Sequence, residues 1–399
     1  MNKIFESHLD DDVYKFHMGC IFFDKFALTE TEYAYKCRDN NIDLSPIYTD
    51  LCEQIESMQD VSLAKDEQKW LFENTKITQD YLVNFLSKFK YHPSQLKIEK
   101  INQNPGLRMR PTGLVQEASL WEMPLMYIVS ELYFKNKYGS KFNEILELAK
   151  KDLRTKVKDL KETLLKNPQI KFNFSEFGTR RRLCKEFQDY AIQLLKEEVP
   201  NLLIGTSNVF FAKKYNLKAV GTAAHEFYEL YQAFHHILDS QKIALKDFIE
   251  FYRGWLGIAP TDTLGSNQWD RDFDKNLMIQ YTGQRHDSSD PYTWANKRID
   301  AYKREQIDPK EKTLLFSDNL TFKKALNLSE TFCNQINVSH GIGTFITNNI
   351  PSLPEHKALN HVVKIVKANN RPVVKISDDP MKAQGEDDIY LNYVKHMVS

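Results

Sequence analysis

The stretch "KAVGTAAHEFYELYQ" (residues 218–232) sets His225 directly after Gly221-Thr222-Ala223-Ala224. Small residues ahead of a histidine predict an accessible ring, and such a ring can bind a metal, move a proton or accept a group. Metal binding needs further ligands at characteristic spacing. His235 and His236 follow ten and eleven residues on, off any HxxxH pattern, and no CxxC pair exists. Zinc is disfavoured and no metal ligand is assigned. Acid–base or nucleophilic work needs a carboxylate that accepts from the second ring nitrogen and fixes the tautomer. Asp262, in "GIAPTDT", is the candidate, with Glu226 as the alternative.

Other polar clusters suit anions. In "EFGTRRR" (176–182) Gly178 allows a close turn and Arg180, Arg181 and Arg182 are expected to start a helix, where amides and guanidinium forks favour phosphate. Successive helix residues point about 100° apart, so two of the three at most face one site. Arg182 is the one expected on the surface. "RHDSSDP" (285–291) offers Arg285 for an acid or phosphate and Asp287 for ribose hydroxyls or a hydrated Mg²⁺, while Asp290-Pro291 reads as a helix cap and first residue. In "FSDN" (316–319) Asp318 and Asn319 serve either a site or a helix cap. "SHGIGT" (339–344) places Gly341, Gly343 and Thr344 where amides can cradle phosphate or simply turn the chain.

These clusters share a position. From about residue 170, short apolar runs alternate with helical stretches: "KFNFSEF", "NLLIGTSN", "KAVGT", "LGIAPTD", "GQRHDSSD", "TLLFSDNL" and "NVSHGIGT" each end in one of the polar signatures. Repeated βα units imply parallel strands with helical crossovers, and loops after such strands are where ligands bind. Seven units favour a closed or nearly closed α/β barrel. The first 110 residues are mixed, with a half-exposed strand in "TETEYAYKCRD" and a strand–turn–strand in "QLKIEKINQNPGLRMRPTG", followed by a helix around "SLWEMPLMYIVSELYFKNKY". "PVVKISDDPMKAQGE" (372–386) reads as strand and turn, returning to the N-terminal domain.

Composition excludes several classes. Lys+Arg and Asp+Glu both total 54 in 399 residues, so no basic excess speaks for nucleic acid or a membrane surface. The five scattered cysteines read as reduced thiols of a cytoplasmic protein. No stretch approaches the ~20 apolar residues that span a bilayer, and "MNKIFESHLDDDVYKF" lacks the apolar core of a signal peptide.

Taken together, "LDDDVYKFHMG", "EFGTRRR", "IGTSN", "GTAAHEF", "RHDSSDP", "LLFSDNL" and "GIGT", in this order and spacing, resemble the nicotinate phosphoribosyltransferase family from Leu9 to "KISDDP". The resemblance implies an irregular α/β barrel over 121–359, with an N-terminal α/β sandwich domain over 1–120 completed by 360–399. It also implies a head-to-tail homodimer with shared active sites. It implies the formation of nicotinate mononucleotide and pyrophosphate from nicotinate and phosphoribosyl pyrophosphate, with Mg²⁺, linked to ATP hydrolysis through a phosphohistidine. His225 matches that histidine and Asp262 the acid that orients it. Tyr14 matches the aromatic residue donated across the dimer, with Phe177 on the other face of the pyridine. Arg180 and Arg285 match the groups holding phosphate and substrate carboxylate, and Arg181 is expected to bind phosphate. Asp287 matches a ribose contact, and Ser317, Asp318, Gly341, Gly343 and Thr344 match the 5′-phosphate cradle.

Relatives that use nicotinamide carry an aspartate at the position of Ser207, and a serine hydroxyl can instead donate to an acid substrate. Two departures stand out: Ser289 where the family has Gly, at a backbone position suited to positive φ, and His340 in place of an apolar aromatic. A nicotinamide-using enzyme and a non-catalytic nucleotide-binding barrel remain the alternatives.

Overall fold

All seven apolar runs that end in polar signatures are strands in the structure, a computed structural model in which residues 3–379, 382, 383 and 385–399 are described. The chain divides into two compact units. The first comprises Met1–Lys166, Ser175–Val220 and Ile342–Lys364; the second comprises Asn167–Phe174, Gly221–Gly341 and Ile365–Ser399.

In the first unit β1 (Glu30–Cys37), β2 (Leu96–Lys100) and β3 (Leu107–Leu114) form an antiparallel ladder in the order β1-β3-β2. Glu30 lies opposite Leu114 and Leu96 opposite Pro111. Period-two alternation turns Tyr33 and Tyr35 of β1, and Leu107 and Met109 of β3, inward. The turn at Asn104-Pro105-Gly106, with Gly106 at φ 82°, joins β2 to β3 as expected. The helix Glu122–Tyr138 buries most of its surface and is a core element. Strands β4 (Phe174–Glu176), β5 (Leu203–Thr206) and β6 (Lys218–Ala219) follow, with β5 and β6 parallel. Gly205 lets β6 approach, since a Cβ there would overlap the Lys218 carbonyl oxygen.

In the second unit β7 (Ile258–Pro260), β8 (Gly283–His286), β9 (Thr313–Phe316) and β10 (Asn337–Ile342) run parallel in that order. Their register aligns Ile258 with Gly283, and Gly283 and Asn337 each with Thr313. The helices Ser266–Asp272, Lys275–Gln280, Pro291–Arg304 and Phe322–Phe332 connect them. The C-terminal helix Asp388–Val398 buries Val394 and Val398 against Ile237 and Leu264. The fold is thus mixed α/β, with parallel strands and a separate antiparallel sheet.

Local expectations fail in three places. Arg180 and Arg181 lie in a single 3₁₀ turn, Thr179–Arg181, and the helix starts only at Lys185. The helix after β9 is capped by Thr321, whose side chain accepts from Lys324 N, rather than by Asp318 or Asn319. Strand β11 (His361–Ala368) was not anticipated, and β12 (Arg371–Pro372) opens the stretch read as strand and turn. Pro380, Met381 and Gln384 of that stretch lie outside the described residues. Among the described residues no helix is long and apolar enough to cross a membrane.

Candidate active site

The residues picked out by the sequence fall into two groups, one in each unit.

In the second unit His225 opens the helix His225–Tyr231, just after the loop that follows β6. Its Nε2 lies 2.7 Å from Asp262 Oδ1, on the loop after β7. Asp262 rather than Glu226 is the partner. The small residues do not leave the ring open: His225 is only 4% exposed and Asp262 1%. Asp262 Oδ2 accepts from Ser288 Oγ at 2.7 Å and Ser377 Oγ at 3.1 Å, and receives Lys375 Nζ at 2.9 Å. Asp287 Oδ2 lies 3.6 Å from His225 Nε2 and 3.5 Å from Lys375 Nζ.

This charge pattern decides the protonation. Burial alone would raise Asp262, but Lys375 and His225 outweigh it and hold the carboxyl well below its usual range. Burial, and then the Lys375 ammonium, push His225 down to about 4 despite both aspartates. At neutral pH the imidazole is therefore uncharged beside an ionised Asp262. Its single proton sits on Nε2, donated to Asp262, which leaves the lone pair on Nδ1. His225, Asp262 and Asp287 offer donor atoms within 4.8 Å of one another, enough to hold an ion. Lys375 already supplies the positive charge there.

Arg285, on β8, donates through Nη1 to the Ala223 carbonyl at 3.2 Å, and its buried Nε has no hydrogen-bond partner among the described residues. A buried guanidinium nitrogen in that state is prepared for an incoming anion. Ser317 Oγ donates to the His286 carbonyl at 3.0 Å. Lys382 Nζ reaches both Asp318 Oδ1 and the Asp287 carbonyl at 2.7 Å. Gly341 is buried within β10. Ser289 has φ 71°, the left-handed region expected from the resemblance, and its carbonyl lies 3.2 Å from His286 Nε2. His340 is buried, with Nδ1 2.8 Å from the Asn173 carbonyl. Asp290 caps the helix Pro291–Arg304, accepting from Thr293 N at 2.8 Å, as expected.

In the first unit the segment from Leu9 to Val13 lies along the loop after β5. Phe210 N donates to Leu9 O, Val209 N to Asp11 O and Val13 N to Ser207 O, at 2.7, 2.9 and 2.8 Å. That pairing places Tyr14 at the start of the helix Val13–Lys25, its hydroxyl 3.5 Å from Met123 Sδ. Ser207 Oγ donates to Asp12 Oδ1 at 2.7 Å. Its proton is therefore already engaged, whereas the sequence reading offered it to an acid substrate.

Arg182 is fully buried, not on the surface, and its two terminal nitrogens clasp Asp10 Oδ1 and Oδ2 at 2.8 Å each. Charge runs are usually solvated, so only the burial of Asp10 in "LDDD" reveals this pairing. Arg181 forks onto the His361 carbonyl at 3.1 and 2.9 Å, which ties it to β11. Arg180 stays 42% exposed, 3.6 Å from Glu122 Oε1. Buried Glu122 also holds Lys15 at 2.6 Å and Lys364 at 3.9 Å; burial would raise it, yet these cations bring it to about 2.

Glu176 Oε1 accepts from Gly178 N at 2.5 Å and its Oε2 from Thr206 Oγ1 at 2.6 Å, so one carboxylate ties the loop carrying Phe177 to the loop carrying Ser207. Phe177 itself is half-buried, and its N donates to Ile342 O at 2.9 Å. Gly343 adjoins: a Cβ there would come 3.0 Å from Phe177 O. Thr344 opens the short helix Thr344–Thr347, whose Thr347 Oγ1 donates to Gly178 O at 3.0 Å.

The sequence reading missed Asp10, Lys15, Glu122 and Lys375. Lys375 carried a visible signal, a lone cation in the apolar run "PVVKIS", which burial makes significant only if a carboxylate waits for it.

Residues 172–399 match the nicotinate phosphoribosyltransferase (NAPRTase) family, and residues 9–130 match the N-terminal domain of that family. The nicotinate phosphoribosyltransferase of Yersinia enterocolitica is 36% identical over 396 residues, 99% of this chain and 96% of its own. That of Shigella dysenteriae is likewise 36% identical over 396 residues, with 99% of this chain and 96% of its own covered. The crystal structure of the Vibrio cholerae nicotinate phosphoribosyltransferase superposes with TM-score 0.93 at 33% identity, covering 99% of this chain and 93% of that one. The Porphyromonas gingivalis structure gives 0.90 at 29% identity, covering 99% and 100%. This chain belongs to the nicotinate phosphoribosyltransferase family.

Proposed function

We propose that the chain is an ATP-dependent nicotinate phosphoribosyltransferase, which joins the pyridine nitrogen of nicotinate to C1 of phosphoribosyl pyrophosphate and releases pyrophosphate. The observation that carries the reading is the buried His225–Asp262 pair at the ends of parallel strands. In the phosphate-accepting step, Nδ1 of His225 bonds the γ-phosphorus of ATP as the bond to the bridging oxygen breaks and ADP leaves. The ring becomes a phosphoimidazolium, and Asp262 holds its Nε2 proton. Water later attacks the phosphorus, the N–P bond breaks and phosphate departs.

Displacement at the anomeric carbon passes through an oxocarbenium-like state, so the protein's work is orientation and charge balance rather than attack on the sugar. Tyr14 and Phe177 are assigned to the pyridine ring, Tyr14 from the partner of a head-to-tail dimer. Arg180 and Arg285 are assigned to carboxylate and phosphate, Asp287 to the ribose, and Ser317, Asp318, Gly341, Gly343 and Thr344 to the 5′-phosphate. Arg181, bound to the His361 carbonyl, joins the phosphate only by leaving that contact. Mg²⁺ neutralises phosphate charge when it arrives on the substrates. Asp287 and Asp318 already face Lys375 and Lys382, so these carboxylates are poor ligands for it. The five scattered cysteines, read as reduced thiols, favour a cytoplasmic location.

The test is product formation from nicotinate and phosphoribosyl pyrophosphate with Mg²⁺, with and without ATP, and with nicotinamide as control. Nicotinate mononucleotide formed faster with ATP, and little product from nicotinamide, supports the reading. No product under any condition overturns it.

A further inference from the structure

We infer that Lys375 is a positioning residue of the phosphate-accepting step, bridging Asp262 and Asp287 so that His225 stays a neutral imidazole with Nδ1 open. The inference rests on the function proposed above. Lys375 is 5% exposed, and its ammonium meets Asp262 Oδ2 at 2.9 Å and Asp287 Oδ2 at 3.5 Å. A buried ammonium is stable only where carboxylates repay its desolvation. Without it, Asp262 would lose the cation on its Oδ2, and two carboxylates would flank one ring with Arg285 balancing only Asp287.

The backbone on both sides of Lys375 is pinned. Val374 N donates to Gln232 Oε1 at 2.9 Å, and Val374 O accepts from Gln232 Nε2 at 2.7 Å. Ile376 N donates to Thr263 O at 2.8 Å, one residue beyond Asp262. Ser377, at φ 60°, then turns its hydroxyl back onto Asp262 Oδ2. A strained non-glycine residue survives only where its surroundings over-determine it. The segment thus delivers one cation and one donor to the same carboxylate.

The charged groups around the ring are Asp262, Asp287 and Lys375, with Arg285 and His286 acting on Asp287, Glu229 on Lys375, and Lys382 on the Asp287 carbonyl. Among these, Lys375 is the cation that weighs most on His225, after burial. Removing it favours the imidazolium, so the histidine pKa must rise. A protonated Nδ1 has no lone pair for phosphorus, and phosphorylation then fails on the acid side.

The experiment follows the His225 imidazole by NMR with ¹³Cε1-labelled histidine across pH 5–8.5, in wild type, Lys375→Met, Lys375→Gln and Lys375→Arg. In wild type, His225 should not titrate near the unperturbed value of about 6.5. Either neutral variant should move its titration upward by about one pH unit or more, a tenfold change in proton affinity, while Lys375→Arg should restore the wild-type curve. Formation of phosphohistidine from γ-labelled ATP should fall on the acid side in the neutral variants and recover as pH rises. Wild-type His225 titrating near 6.5, or an unmoved curve in a folded neutral variant, overturns the inference. Failure of wild type to become phosphorylated at any pH sinks the proposed function instead, and the titration still judges Lys375.

Discussion

Asp262 Oδ1 lies 2.7 Å from His225 Nε2, and the same carboxylate's Oδ2 lies 2.9 Å from Lys375 Nζ. One buried aspartate therefore orients the histidine with one oxygen and binds a cation with the other.

Asp262→Asn keeps the shape and removes the charge. The neutral carboxamide no longer dictates which ring nitrogen carries the proton, so the ATP-dependent rate should fall by roughly 10²–10⁴, the range seen when an acid–base partner is lost. Initial rates with and without ATP check it; an unchanged ATP response would show that Asp262 does not orient the ring.

Arg182→Met leaves the fully buried Asp10 carboxylate without its guanidinium. Stripping one partner from a buried ion pair costs about 3–5 kcal/mol, so the denaturant midpoint should drop sharply. Arg182→Lys should not rescue it fully, because an ammonium cannot clasp both oxygens.

Glu176 gives a pH signature. Burial raises its folded-state pKa to about 7, against hydrogen bonds from Thr206, Gly178 and Gln188. A carboxyl raised above its unfolded value of about 4.3 binds more protons when folded. Its contribution is therefore present below the unfolded pKa and is lost as pH rises toward 7. Relative to Glu176→Gln, the wild type should lose roughly 3 kcal/mol of stability between pH 4 and pH 8, at about 1.4 kcal/mol per pKa unit. Parallel stability–pH curves for the two proteins would refute the shift.

Ser207→Asp places a second carboxylate against Asp12, whose pKa burial already raises. Nicotinate use should fall about tenfold or more relative to nicotinamide, since ~1.4 kcal/mol of repulsion gives that ratio. Equal losses with both substrates, measured as kcat/KM, would mean that position 207 affects folding and not the choice of acid over amide.

Gly178→Ala would drive a Cβ into the Thr347 side chain, at the turn that carries Phe177 and Arg180. Overpacking of this kind costs about 1–3 kcal/mol, and both the melting temperature and the KM for nicotinate should report it.

How much was legible in the chain follows from how local each cause is. The seven strands that end in polar signatures, the turn at Gly106 and the cap at Asp290 rest on periodicity and turn chemistry, each contained in a few residues, whereas the positive φ at Ser289 was expected only from the family resemblance. His225 and Asp262 were legible as a pair because strand-end loops of βα units converge. The partners of the arginines were not. Arg182 and Asp10 stand 172 residues apart, and Lys375 and Asp262 lie on separate segments. Whether a charge is solvated or buried depends on what the rest of the chain brings against it, and a burial penalty of several kcal/mol per ion is met only by a partner from elsewhere in the fold. The sequence by itself determined the strands, the loops and the chemistry they present. Tertiary structure alone decided which charges meet, and through them that His225 is buried, neutral and held by its Nε2 proton.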